Sequence, residues 1–189
     1  MSEELYDVLD EKGNKTSQAL PKSVVHDQEL WHGSAFVWIY NAKGELLLQF
    51  RAVNKKLYAN VWDVSVGGHI SAGDDPIATA VREAAEELGV KIKAQELTQL
   101  GYCKDEDIMI NGKRHREHDW IFLLSAELAK EQLILQESEV TNAKWLPVNQ
   151  LEADLCEPGW KTRYAGRNKY IYETAIKEVR KRLNSELNQ

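Results

Sequence analysis

Glu83, Glu86 and Glu87 stand within the run Arg82-Glu-Ala-Ala-Glu-Glu-Leu-Gly89. On a helix, positions i, i+3 and i+4 share one face, so the three carboxylates crowd together. Repulsion at that spacing costs about a few tenths of a kcal/mol per pair. A hard divalent cation removes the conflict, because Mg²⁺ takes oxygen ligands and bridges carboxylates to substrate phosphates. A solvated acidic helix face would carry the same residues, so the glutamates alone leave both readings open. Glu117 and Asp119 alternate along a strand-like run, which puts both on one face. There they suit a metal ligand or a general base, and equally an exposed strand edge.

The elements around the glutamates narrow the choice. Asp75 suits a helix N-cap and Pro76 the first helical position; good helix formers continue to Leu88, and Gly89 is a C-terminal stop. Val61–Val66 reads as a strand running directly into Gly67-Gly68. Upstream, Ala35–Tyr40 and Glu45–Phe50 are apolar strands joined through Asn41-Ala-Lys-Gly44, which reads as a hairpin. A short strand is expected over residues 4–9, with a turn at Glu11–Asn14. Residues 94–102, 119–125 and 142–146 read as strands, and 147–153 as a short helix. From about Arg167 a longer helix runs to the end, with Ile171, Ala175, Val179 and Leu183 on one face. Strands, a central helix, more strands and a terminal helix indicate an α+β layered domain.

Composition excludes several classes. The net charge of −6 and pI near 5.5 argue against a nucleic-acid coat protein, but not against a phosphate-bearing small molecule reached through metal ions. No run approaches the ~20 apolar residues of a membrane span. The acidic opening Met1-Ser-Glu-Glu-Leu-Tyr6 lacks the pattern of a signal peptide. Cys103 and Cys156 are too few for a disulfide framework, so a reducing, cytoplasmic setting is expected. There is no repeat or Pro/Gly/Ser-rich linker, and residues 1–189 read as one domain.

The segment from Gly68 to Val90 resembles the Nudix signature G-x5-E-x7-R-E-U-x-E-E-x-G-U, with U aliphatic. Gly68, Arg82, Glu83, Glu86, Glu87, Gly89 and Val90 match at the correct spacing. Asp74 stands where the family has Glu, and Ala84 is a small version of U. The resemblance implies the Nudix fold, a mixed β-sheet sandwiched between α-helices (α/β/α). Its core would span about residues 33–155, with an N-terminal strand extension and a C-terminal helix. It implies that Glu83, Glu86 and Glu87 hold Mg²⁺, with Mn²⁺ as an alternative, and that one of them assists in deprotonating water. Gly68, Asp74, Arg82 and Gly89 would be structural, Arg82 through an ion pair. An additional acid from outside the signature, here Glu117, is a further catalytic candidate.

A narrower likeness extends over Leu47–Arg51, Lys55-Lys56 and Val61–His69, which resemble metal-dependent isopentenyl diphosphate isomerases and the hydrolases closest to them. That likeness implies that Arg51 and Lys55 hold the diphosphate, as a bidentate fork and a point charge suit phosphate oxygens. It also implies a second metal site built from His26, His32, His69, Glu117 and Asp119, a set suited to Zn²⁺ or Mn²⁺. The spacing before His32 is one residue short of the isomerase pattern, and Asp119 replaces a Glu. Isomerases of this type carry a catalytic Cys at the position of Gly67, which has no side chain.

The expectation is therefore a hydrolase that cleaves a diphosphate linkage in a small molecule by attack of metal-activated water. The substrate would be a nucleoside diphosphate or related compound, or an isoprenoid diphosphate. An isomerase and a non-catalytic, metabolite-sensing Nudix domain are the rivals. Nucleic acid and membrane are not expected partners; a homodimer is compatible with the family. Trp38, Trp62, Trp120 and Trp145 are expected in the core. Trp160–Tyr164 with Arg167 and Lys169 would dock the C-terminal helix, or alternatively stack a base and steer a phosphate.

Overall fold

A computed structural model describes residues 3–109 and 112–186. Its centre is strand β3 (His32–Tyr40), buried at every position. Ahead of it lie β1 (Leu5–Leu9), β2 (Lys15–Pro21) and the short helix α1 (Lys22–Asp27). After it come β4 (Glu45–Arg51), β5 (Trp62–Asp63), β6 (Val66–His69) and helix α2 (Pro76–Leu88). Strands β7 (Thr98–Ile108), β8 (Arg114–Ser125) and β9 (Val140–Pro147) follow, then helices α3 (Val148–Cys156) and α4 (Lys169–Glu186).

The main sheet runs β5-β4-β3-β8-β7, with β6 also on β3 and β9 also on β4; β1 and β2 form a separate hairpin. β3 and β8 are parallel from His32↔Glu117 to Tyr40↔Ser125, and the other pairs are antiparallel. The sheet is therefore mixed. Period-two alternation sends Phe36, Trp38, Leu48, Ile121 and Leu123 towards α3 and α4, where Leu151, Ile171, Ala175 and Val179 meet them. Ala35, Val37, Ile39, Leu47 and Phe122 face the other way, against Ala80, Ala84 and Leu88 of α2. Helices cover both faces, which is why Ala35–Tyr40 reads as an unbroken apolar run.

The local signals work as expected at the hairpin and at α2. Asn41 Oδ1 accepts from the amides of Lys43 and Glu45, and Gly44 takes φ 74°. Asp75 accepts from the Ala78 amide at 2.8 Å, and Gly89 ends α2 at φ 70°. Other boundaries differ. The expected strand 61–66 is split, because the chain leaves β4 after Asp63 and joins β3 at Val66. Ser65 bridges that gap, accepting from the Ile39 amide and donating to the Leu47 carbonyl. Gly67 and Gly68 consequently lie inside β6, rather than beyond a strand.

Residues 94–96 form a 3₁₀ turn, not the start of a strand, and β7 and β8 run well beyond their expected limits. Their outer halves are rich in charge, which hid the pairing. α4 starts at Lys169 instead of Arg167, and α3 is shifted to 148–156. β2 and α1 carried no apolar pattern strong enough to announce them. Of the tryptophans, Trp38 is fully buried and donates to the Ile171 carbonyl, whereas Trp62, Trp120 and Trp145 are only partly buried against the core. Among the described residues, no helix is long and apolar enough to cross a membrane.

Candidate active site

The end of α2 meets the two glycines of β6 at the wall of a cleft of about 380 Å³. Glu87 is buried, and its Oε2 accepts from the Gly67 amide at 3.1 Å and Gln49 Nε2 at 3.4 Å. Glu83 lies so close to Gly68 that an added Cβ would meet its carboxylate carbon at 2.2 Å. Gly68 therefore supplies room for a carboxylate. Glu86 stays half exposed, and Arg82 NH1 bridges Glu83 at 2.8 Å and Glu86 at 3.0 Å. Burial, then the charge of Glu83, pushes the Glu87 carboxyl up to about 8, against the opposing pull of the Gly67 amide, Arg51 and Lys55. Burial raises Glu83 too, Arg82 opposing it. Three acids held together at this cost form a cation-seeking set. Asp74 contributes through its backbone: its amide donates to the Ser71 carbonyl and its carbonyl accepts from Lys15.

Beside this set, α1, β3, β6 and β8 bring together His26, His32, His69 and His115, with one ligand atom from each within 4.8 Å of all the others. Glu117 joins them: its Oε1 lies 3.2 Å from His69 Nε2 and its Oε2 lies 3.0 Å from His115 Nε2. His26 Nε2, His32 Nε2 and His115 Nδ1 are buried without a hydrogen-bond partner. Burial drives His26 down to about 3 and His32 to about 4, so both are neutral near pH 7 and offer lone pairs. Burial opposes ionisation of Glu117, yet His115 and His69 hold it well below the usual carboxylate range. Orphaned nitrogens converging beside a carboxylate fit a transition-metal ion.

Four of the five residues expected at this second site do converge; Asp119 does not. It sits two residues further along β8, opposite Ser34, whose Oγ donates to it at 2.5 Å. Burial, reinforced by Glu117, raises its carboxyl well above the ordinary value. His115 occupies the other side of Glu117 instead. The signal for His115 was available, since residues 115, 117 and 119 share a strand face. Choosing between its two ends required the β3–β8 register.

Arg51 and Lys55 both line the cleft, but protein acceptors hold them. Arg51 donates to Asp63 at 3.1 Å and to the carbonyls of Tyr58 and Leu57. It thereby fixes a loop in which Tyr58 and Asn60 take positive φ, 52° and 57°. Lys55 bonds the Glu139 carboxylate. From the Trp160–Lys169 stretch, Trp160 and Tyr164 dock against the core, as expected. Arg167 alone from that stretch enters this cleft. Its Nε and NH2 donate to Asp63, so two arginines share one buried carboxylate.

A Cβ at Gly67 would lie 2.6 Å from the Phe36 ring, so the space of a side chain there is already filled. Neither thiol lines the cleft: Cys103 sits on β7 against Asp119, and Cys156 is exposed at the end of α3. The NUDIX domain family profile matches residues 30–166. This chain belongs to the Nudix family. It is 34% identical over 154 residues to Nudix hydrolase 3 of Arabidopsis thaliana, covering 79% of this chain but only 20% of that protein's length. It is 32% identical to an uncharacterized Nudix hydrolase of Clostridium acetobutylicum, over 80% of this chain and 73% of that one. An isopentenyl-diphosphate Delta-isomerase of Escherichia coli is 29% identical over 88% of this chain and 87% of its own. Among solved structures, a Deinococcus radiodurans protein superposes with a TM-score of 0.68 at 20% identity, over 90% and 97% of the two chains. The Nudix fold expected from the signature is thus the fold observed.

Proposed function

We propose that this Nudix chain hydrolyses a diphosphate linkage in a small molecule, using Mg²⁺ or Mn²⁺. The observation that carries the reading is the placement of Glu83 and Glu87 on the cleft wall against Gly67-Gly68, with Arg51, Lys55 and Arg167 lining the same cleft. Glu83, Glu86 and Glu87 are the residues that would hold the ion. Bound there, a divalent cation polarises a phosphoryl oxygen and lowers the pKa of water. The protein's own groups orient the substrate and receive the proton. Water oxygen bonds to phosphorus as the bridging P–O bond breaks, and the leaving phosphate takes the electron pair. The acid that receives the water's proton comes from Glu83, Glu86, Glu87 or Glu117, all of which line the cleft.

His26, His32, His69, His115 and Glu117 fit a second ion of Zn²⁺ or Mn²⁺ type, on the strength of their orphaned nitrogens. The isomerase reading is weakened by Gly67, whose side-chain space Phe36 occupies, and by the absence of a thiol from the cleft. Retention of all three signature carboxylates weighs against a non-catalytic sensor. A phosphate-release screen with Mg²⁺ and Mn²⁺ across nucleoside di- and triphosphates, nucleotide sugars and isoprenoid diphosphates tests the proposal. A metal-dependent hit should fall by orders of magnitude in Glu87→Gln; undiminished turnover in that variant would refute the assignment.

A further inference from the structure

Arg167 is 7% exposed and stands where the C-terminal segment closes one wall of the cleft. Its orientation is locked. Nε and NH2 both donate to Asp63, which has no exposed surface, at 3.0 and 2.9 Å. The guanidinium carbon lies 4.3 Å from the centre of the Phe36 ring and 5.3 Å from that of Tyr58, a cation–π setting that covers the group without neutralising it. NH1 is left over. Among the described residues it has no hydrogen-bond acceptor, and its nearest acid is Glu117 Oε2 at 3.8 Å. That carboxylate is committed to His69 and His115 at 3.2 and 3.0 Å.

Charge counting points the same way. Asp63 supplies one negative charge to two cations, because Arg51 NH1 also bonds it at 3.1 Å. Each nitrogen of Arg51 already has a protein acceptor, Nε and NH2 on the Tyr58 and Leu57 carbonyls, and Lys55 is paired with Glu139. The buried trio of Asp63, Arg51 and Arg167 therefore carries a net positive charge, and both N–H bonds of Arg167 NH1 are unspent on its cleft side. A buried donor left without an acceptor is costly, and a guanidinium edge matches phosphate oxygens in geometry.

We infer that Arg167 binds substrate directly, its NH1 edge taking a phosphate oxygen, and that this end of the cleft selects an ionised group over a hydrocarbon one. An isoprenoid chain laid against NH1 would remove its water and return no acceptor. A diphosphate, or a nucleotide presenting a phosphate here, satisfies it. The inference rests on the cleft being the substrate site, and names the residue that would meet the substrate's phosphate there and the end of the cleft from which a hydrocarbon group would be turned away.

The test is calorimetric titration of methylenediphosphonate, a non-hydrolysable P–C–P compound, with Mg²⁺ into wild type, Arg167→Met and Arg167→Lys. Arg167→Met keeps the stem and leaves Asp63 paired with Arg51. Its affinity should fall about tenfold or more, the worth of a charge-assisted hydrogen bond, while Arg167→Lys recovers part of the loss. Near-UV circular dichroism establishes that the variants are folded. Arg167→Gln, which still donates to Asp63 but carries no charge, replaces the Met variant should that one unfold. Affinity within about twofold of wild type in the uncharged variant, or no binding by wild type, overturns the inference. Turnover of Glu87→Gln judges the hydrolase reading separately, so the two can fail independently.

Discussion

Replacing Glu87 with Gln should stabilise the metal-free protein at alkaline pH while abolishing its response to Mg²⁺. Glu87 is 3% exposed, and burial with the nearby charge of Glu83 raises its carboxyl from 4.5 to about 8. Between those values the unfolded chain gives up the proton and the native protein keeps it. Native protein then binds more protons, so its stability falls as pH rises from about 4.5 to about 8 and levels off above. A rise of that size is worth at most about 5 kcal/mol, and relaxation around the charge leaves about 2–4 kcal/mol to be observed. Gln avoids the penalty, because its amide oxygen can still accept from Gly67 while its NH₂ turns to the cleft. The assay is urea unfolding of both proteins in chelator from pH 5 to 9. Wild type should lose stability relative to Glu87→Gln as pH rises, and saturating Mg²⁺ at pH 8 should restore wild type alone. Parallel pH profiles for the two proteins would refute the reasoning, since they would mean that Glu87 ionises freely in the native cleft.

Gly67→Cys drives a side chain into the Phe36 ring, and Phe36 is a core residue at 2% exposure. Overpacking of this kind should cost about 1–3 kcal/mol in urea unfolding, with no gain of double-bond migration on isopentenyl diphosphate; isomerase activity at native stability would count against the packing argument. His115→Ala should weaken retention of Zn²⁺ or Mn²⁺ by at least about tenfold, the cost of losing even an outer partner of a metal ligand. Metal analysis after dialysis reads this directly, and retention equal to wild type would remove His115 from the set.

The carboxylate helix was legible because its information is local. Asp75, Pro76 and Gly89 mark the ends of α2 through caps that involve only neighbouring residues, and helical spacing alone puts Glu83, Glu86 and Glu87 together. The hairpin at Asn41–Gly44 was legible for the same reason, as its turn is closed by the side chain of Asn41. Trp38 could be placed in the core from its apolar strand, but the partial exposure of Trp62 and Trp145 follows from their places on the edge strands β5 and β9.

What the sequence determined by itself was the chemistry on offer: a helix with three carboxylates on one face after a Gly-Gly strand, cations upstream, and scattered histidines. Tertiary structure decided which of these meet. His115 rather than Asp119 faces His26, His32 and His69, because the β3–β8 register sets Glu117 opposite His32 and Asp119 two residues further on, opposite Ser34. Arg51 is drawn onto Asp63 and the loop carbonyls, and Arg167, from more than a hundred residues away, meets the same carboxylate. Capping and helical periodicity act over a few residues and leave their mark in the local sequence. Strand register and the sharing of one buried charge between two distant arginines arise only when the whole sheet packs, and no short stretch of chain encodes them.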